Sequence, residues 1–548
     1  MSKEKKQSFM GGVTVLAIST VFVKLCGALY KIPLNNILGD QGVTHFMSAY
    51  NIYAFLLTLS TAGLPLALSK LISEANATNR QNQIRRCLKT ALVLFVSMGL
   101  VGSTAMLLFT EELAAWMNNS MAYWPIKALG ISVVCVTVMC AFRGYAQGRQ
   151  NMVPTAVSQF LEAFFKLVIG LPLAWILIRK GFGLEIGAAG AIVGVSIGTV
   201  LATLYMAVNY FRTRPTLKGT DTPQSYPTIL RRILSLGIPI TIGQAGMSLL
   251  NLLDQKIIMG QLQSLTASEI AAGLRPPMSP SEIESISSAL YGQYTFSSTL
   301  FNLPASFLPA VAISLVPAIS VAVARKEHRE VNRVVTTSFR LIGMLALPAG
   351  VGMSVLAGPI LQLLYPAQAA AAAAATYHLQ ILGIASIFVC IMLLTNSIMQ
   401  AHGKVYLPIC TMLIGGTVKV IINYNLVGDP SINIKGAPIG TLVCYSLIAL
   451  INLVIVRNML AEKPNYFGVF FKPVLASAAM GAAAWASHGL LSRVFSGSYA
   501  AHALATFGAI AVAVLVYFIL VLALRMITAE DLRMIPRGEK IARLLHIR

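Results

Sequence analysis

Apolar stretches long enough to cross a bilayer recur from one end of this chain to the other, separated by short polar links. The runs at 91–109, 191–210, 341–361 and 503–524 are representative. About 20 such residues in a helix span the hydrocarbon core of a membrane. Only 11% of the 548 residues are charged and 56% are hydrophobic, whereas an ordinary soluble chain carries about a quarter charged residues. The expected fold is therefore an all-α polytopic membrane protein with about 14 transmembrane helices. Its spans are expected at 12–38, 45–73, 86–110, 123–147, 155–178, 186–211, 231–260, 290–324, 336–358, 376–400, 407–427, 436–460, 469–491 and 502–526, with no sizeable soluble domain.

The net charge of +22 would suit nucleic acid were it not for where it lies. Five cations fall in the outer loops (Arg179, Lys180, Arg275, Lys435, Arg493) and seven fall at membrane depth. The remainder of the 41 Lys+Arg gather in the termini and the even-numbered loops. That bias places both termini in the cytoplasm by the positive-inside rule. It also gives the inner surface an attraction for anionic membrane lipids, so no nucleic-acid partner is expected. The seven cysteines, scattered in or beside apolar runs without a CxxC, read as small core residues and not as disulfides or metal ligands. Neither a metal site nor a cofactor is expected. The basic N-terminus and the run after it read as an uncleaved first span, since a cleavable signal would be shorter and end in a small-residue site.

Two blocks occur twice in the same order. Gln147-Gly148-Arg149 leads to Pro154 and Lys166, and Gln400 leads to Gly403-Lys404, Pro408 and Lys419, with the Gln-to-Lys spacing 19 in both. Tyr50 and Tyr53 precede Leu64-Pro65, as Tyr291 and Tyr294 precede Leu308-Pro309. The organisation expected is two pseudo-symmetric six-helix bundles, 1–225 and 226–465, followed by two additional helices and a basic cytoplasmic tail at 466–548. Repeats with an even number of spans are parallel and place a cavity between halves that open alternately to either side.

A charge at bilayer depth costs at least about 2.5–3.5 kcal/mol, so it faces a cavity or a partner. Lys24 and Lys31, seven residues apart, share one helix face with no acid between them. Lys70 lies near the cytoplasmic end of the second span. Glu74 has Lys70 four residues before it, and Glu162 has Lys166 four residues after, spacings that suit ion pairs along a helix. Asp254 has no cation at that spacing; it reads as a coupling carboxylate or as a partner for Lys419. Lys127 and Lys256, near span ends, read as snorkelling side chains. The surplus of cations in the first half would attract a phosphate or pyrophosphate.

The residues KLCG at 24–27, GLPLALSKLISE at 63–74, and Leu303-Pro304 through LVPAIS at 315–320 carry a resemblance to a known family. The chain resembles the MOP superfamily of exporters, in its polysaccharide and lipid II flippase branch. It is most similar there to the Gram-positive group holding the stage V sporulation protein B and MurJ-type proteins, over all expected spans. The resemblance implies a flippase of the bacterial cytoplasmic membrane, not an enzyme. It would move an undecaprenyl-pyrophosphate-linked sugar for peptidoglycan or polysaccharide biosynthesis, and act as a monomer with cell-wall synthesis enzymes as partners. Lys24 matches the family's first cation, as Lys for Arg. The second falls on Tyr30, beside Lys31, and the cation of the eighth span falls on Thr299. A polar position used for sodium in some members falls on Lys419, with Asn423 matching its partner. The site residues expected are thus Lys24, Lys31, Lys70, Tyr50, Tyr53 and Thr299 for substrate, with Asp254, Lys419, Asn423, Glu162 and Lys166 as coupling or cavity polar groups. The rival reading is a drug/cation antiporter of the neighbouring MATE branch, whose cavity would want acids.

Overall fold

The chain is helical throughout its described part, 9–214, 219–495 and 497–526 of a computed structural model. Within those bounds the side chains at 9–18, 20, 21, 24, 25, 28, 239, 243, 247, 307, 309–314, 317 and 318 are not described. The expectations for the Lys24 side chain and for most of the basic tail therefore lie outside the described residues. No strand occurs among them, as a bilayer requires of a chain that does not close a barrel: each helix satisfies its own backbone.

The helices run α1 Phe9–Thr61, α2 Leu64–Ala77, α3 Gln81–Leu108, α4 Thr110–Trp116, α5 Tyr123–Gly148, α6 Val153–Phe165, α7 Leu171–Arg179, α8 Leu184–Thr213, α9 Tyr226–Ala271 and α10 Pro280–Phe301. They continue with α11 Leu308–Ala324, α12 His328–Val355, α13 Ala357–Leu364, α14 Ala369–Ala401, α15 Tyr406–Val427, α16 Gly436–Met459, α17 Tyr466–Val494 and α18 Tyr499–Ala523. Twelve helical stretches among the described residues are long and apolar enough to span a membrane. Fourteen spans were expected, and part of the first and of the eighth lies outside the described side chains. The first two expected spans run together into one stretch, Leu29–Ala77, and the span at 290–324 is divided by a 3-10 turn, Pro304–Phe307, into α10 and the 17-residue α11.

By packing, the chain forms two compact units, Met1–Thr295 with Asn423–Ile434, and Phe296–Ile422 with Lys435–Arg548. These are units of contact, whereas the boundaries at 225 and 465 describe a repeat in sequence. The turn after α5 puts Gln150 at φ 61 and the turn after α14 puts Gly403 at φ 75, at matching places in the two blocks. Each turn is closed by an amide reaching back five residues, Asn151 to the Ala146 carbonyl (3.0 Å) and Lys404 to that of Met399 (2.9 Å). This is the left-handed C-terminal cap that ends many helices.

In the first unit α5 is the central helix, packed against α2, α3 and α8, while α1 lies along α5, α6, α8 and α9. Two local breaks shape it. Gly39 takes φ 66 inside α1, a conformation that costs glycine nothing. The chain restarts with the Asp40 carboxylate accepting the Gln41 amide at 2.8 Å. Between α6 and α7 the helix widens to a π turn over Lys166–Gly170. Pro172 follows, which lacks an N–H to continue the ladder. Beyond Gly39, α1 carries a neutral polar network. The Asn119 and Gln255 amides both donate to Ser48 Oγ at 2.8 Å, the Asn51 amide donates to Gln255 Oε1 at 2.5 Å, and His45 Nδ1 lies 2.8 Å from Asn119 Oδ1.

In the second unit α14 packs on α12 and α16, and α17 pairs with α18 and lies on α12. The Tyr517 hydroxyl donates to the Met344 carbonyl at 2.9 Å, and Phe339 of α12 meets Tyr466 and Phe470 edge-on. The outward sides of these last helices expose Phe467, Trp485, Phe507 and Val514, as lipid-facing surfaces do.

The linker between α8 and α9 is tied to the start of α3. Asp221 accepts the Asn82 and Gln83 amides at 2.9 Å each, Asn82 donates to the Gly219 carbonyl at 2.7 Å, and Arg80 donates to that of Thr222 at 2.9 Å. Partial burial pushes the Asp221 carboxyl up, but these amides and the Arg80 charge outweigh it and hold it below the ordinary carboxylate value. A depressed carboxylate stabilises the folded form above its unfolded pKa, and the contribution disappears as pH falls through the lower folded value. The tie should therefore be complete at neutral pH and loosen only in acid. An acceptor at a helix N-terminus is worth about 1 kcal/mol, so Asp221→Ala should speed tryptic cleavage within 212–232 severalfold at pH 7.5. An unchanged rate would show that Arg80 and Asn82 hold the linker without it.

Candidate functional site

A cavity of about 680 Å³ opens inside the first unit, between α1, α2, α5, α6 and α8. Its apolar wall includes Val23, Leu57 and Val136, and its polar lining includes Tyr50, Tyr53, Arg143, Gln159, Glu162 and Lys166. Two cations thus stand against one carboxylate in the described lining.

Each charge is held differently. Arg143, on the last two turns of α5, places Nη2 2.5 Å from Glu162 Oε2 and Nε 2.9 Å from Ser158 Oγ. The pair is not sealed: 15% of the Arg143 side chain and 27% of Glu162 remain accessible. Lys166 opens the π turn, where its ammonium lies 4.3 Å from the ring centre of Tyr30 and 5.1 Å from that of Tyr50. Each cation–π contact is worth about 0.5–2 kcal/mol, and two together are of the same order as the cost of a cation at membrane depth. The rings are themselves fixed. Tyr30 is fully buried and donates to the Ala191 carbonyl at 3.2 Å, and Tyr50 stacks on Phe46 at 5.7 Å and meets Tyr53 at 6.1 Å. The approach of α8 that positions Tyr30 depends on Gly194, since a Cβ there would strike the backbone of Gly170.

Of the residues expected from sequence, the cavity gathers Tyr50, Tyr53, Glu162 and Lys166. Lys31 is half-buried on α1 and is not in the lining. Lys70 lies in a neighbouring groove of about 710 Å³ with Ser69, Ser73 and Gln150, and this groove shares Leu66 and Gln147 with the cavity. Asp254 is buried and accepts from the Asn423 amide at 2.6 Å. In the second unit Thr299 is buried on α10 and Lys419 is half-buried on α15.

Two expected ion pairs are replaced. Glu162 is held by Arg143 and not by Lys166: the Lys166 amide still donates to the Glu162 carbonyl, but its ammonium lies over the rings of Tyr30 and Tyr50. Glu74 meets Arg232 at 2.9 Å, across from α2 to α9, in place of Lys70. Arg143 itself was counted among the cytoplasmic cations because it lies four residues from the expected span end. The signal that could have found it is the acid on the next span, Glu162. Among the described residues no cluster of three or more His, Cys, Asp or Glu could hold a metal ion.

If the cavity is wet, Gln159→Cys in a background without the seven cysteines should react with a charged methanethiosulfonate reagent in intact membranes. Ile192→Cys, at a fully buried position, should not. Equal labelling at the background rate would mean a dry cavity.

Comparison with known proteins follows the same lines. The model of the polysaccharide biosynthesis protein family matches residues 9–323, and that of the lipid II flippase MurJ family matches residues 169–509. The membrane protein YabM of Bacillus subtilis is 25% identical over 99% of this chain and 98% of its own length. Stage V sporulation protein B of the same organism is 25% identical over 97% and 98%. Among solved structures, a lipid II flippase MurJ in an inward closed conformation superposes with a TM-score of 0.65 at 13% identity, covering 92% of this chain and 98% of that one. An inward-facing MATE multidrug transporter gives 0.64 at 15% identity, over 81% and 98%.

Proposed function

Because the chain belongs to the polysaccharide and lipid II flippase branch of the MOP superfamily of exporters, a family of multi-pass membrane transporters and not of enzymes, we propose that it flips a lipid-linked precursor. The cargo is an undecaprenyl-pyrophosphate-linked cell-wall or polysaccharide unit, lipid II or a related molecule, carried across the cytoplasmic membrane by alternating access. The observation that carries this reading is the sign of the cavity, where Arg143 and Lys166 outnumber Glu162. A diphosphate presents several acceptor oxygens, a good match for a guanidinium fork and an ammonium. Tyr50 and Tyr53 add hydroxyls beside them.

The basic termini and even-numbered loops support a cytoplasmic location for both chain ends, so Lys70 in its groove would meet the headgroup on the inner side. Two six-helix bundles, a proposal supported by the blocks that recur in sequence, would open alternately to either side. The protein is taken to act as a monomer beside cell-wall synthesis enzymes. Fold likeness to MATE transporters favours a second reading, a drug/cation antiporter. The surplus positive charge argues against it, since a cationic drug would be repelled.

The test is complementation of a strain depleted of its lipid II flippase. The unmodified chain should restore growth and clear the accumulated precursor. Losing a hydrogen bond to a charged group costs about 1.5–3 kcal/mol, so Lys166→Gln and Arg143→Gln should each slow transport roughly 10- to 150-fold at equal membrane levels. Full rescue by both variants would remove the cavity from the mechanism.

A further inference from the structure

We propose that the cavity takes up its anionic headgroup together with a proton, which is received by Glu162 when Arg143 leaves it for the diphosphate. The proposal rests on the headgroup reading above and adds the linkage to it. Arg143 has its Nε on Ser158 and its Nη2 on Glu162. A diphosphate that binds the guanidinium fork must therefore share it with the carboxylate or displace it. Both partners of the pair remain in part accessible, so cavity water and solute can reach them.

Beside Arg143, the one other cation in the described lining around Glu162 is Lys166. From α1 it faces Tyr50 and Tyr53, both neutral phenols, with the thiol of Cys26 in the same lining. From α5 come Arg143 and Cys140, and from α8 Val195 and Thr199, which carry no ionisable group. Its own helix offers Gln159, and the following turn Lys166, whose ammonium is held between Tyr30 and Tyr50 and feels the charges of Lys31 and of Glu162. The Lys24 side chain lies outside the described residues. An anion seated on Arg143 and Lys166 puts like charge within a few ångströms of the carboxylate in a low-dielectric space, where one member of such a pair becomes neutral.

The balance is simple. The guanidinium keeps its proton and moves its N–H donors from Glu162 Oε2 to a phosphoryl oxygen. The Glu162 carboxylate takes one proton from cavity water and becomes a carboxyl. Release of the headgroup reverses both steps. No covalent bond changes and no further reactant is needed.

The experiment uses the full chain in lipid nanodiscs with farnesyl pyrophosphate as the probe. Calorimetric titrations at pH 8.5 in two buffers of different ionisation enthalpy count the protons taken up, at a pH where the diphosphate is itself essentially fully ionised. We expect close to one proton per bound probe for the unmodified chain, none for Glu162→Gln, and recovery in Glu162→Asp. Between pH 7.5 and 8.5 the affinity of the unmodified chain should fall by up to about tenfold, the limit for one linked proton. Glu162→Gln should bind more tightly at pH 8.5 and lose that slope. Zero uptake by the unmodified chain, or equal uptake in Glu162→Gln, overturns the linkage and leaves the headgroup site standing. No binding of the probe to the unmodified chain overturns both.

Discussion

Arg143 and Glu162 hold each other between α5 and α6, and the character of the cavity depends on that contact. The two charges cancel, so the sign of the chamber is set by Lys166 alone. Breaking a buried ion pair by removing one member costs about 3–5 kcal/mol because the other is left uncompensated. A pair that must be opened by a ligand has to be less buried than that, and this one is: a quarter of the Glu162 side chain is accessible. The chamber is thus held together by an interaction that a stronger anion can enter and replace.

The geometry around the pair follows from interruptions in otherwise regular helices. Lys166 opens the π turn at Lys166–Gly170 and carries its ammonium onto the faces of Tyr30 and Tyr50. The glycines at 170 and 194 let α8 come close enough for the Ala191 carbonyl to fix the Tyr30 hydroxyl. Where α2 meets α9, Gly63 lies against the backbone of Gly237, and its amide donates to Thr241 Oγ1 at 3.2 Å. Small residues at crossings are how membrane helices gain packing when burial from water is no longer the drive.

Much of this was legible before any coordinates. The period and length of the apolar runs identified the helices, and the scarcity of charge made each intramembrane one conspicuous. Glu162 and Lys166 could be singled out because charges at that depth are expensive, and Tyr50 and Tyr53 because their block before Leu64-Pro65 recurs at Tyr291 and Tyr294. Their partners were harder to read. The four-residue rule looks along one helix only, and it failed at Glu162, where the partner comes from α5, and at Glu74, where it comes from α9. Arg143 was hidden by its place near a span end, where cations ordinarily reach the interface. The Asp254–Asn423 contact joins residues 169 apart in sequence, and no local pattern announces such a pair.

The same helix that lines the cavity also shows how polarity is apportioned. At Tyr50 and Tyr53 α1 faces the charged chamber, while His45, Ser48 and Asn51, three residues apart along another side of the same helix, join Asn119 and Gln255 in a network of neutral groups. A neutral hydrogen bond contributes only about 0.5–1.5 kcal/mol net, because water can take either partner's place. Charged groups left unpaired at that depth would cost several times more. A contact between α1, α5's approach and α9 built from amides and hydroxyls can therefore be exchanged for water at modest cost, bond by bond. The charges of Arg143, Glu162 and Lys166 stand apart from that network, in the lining of the cavity.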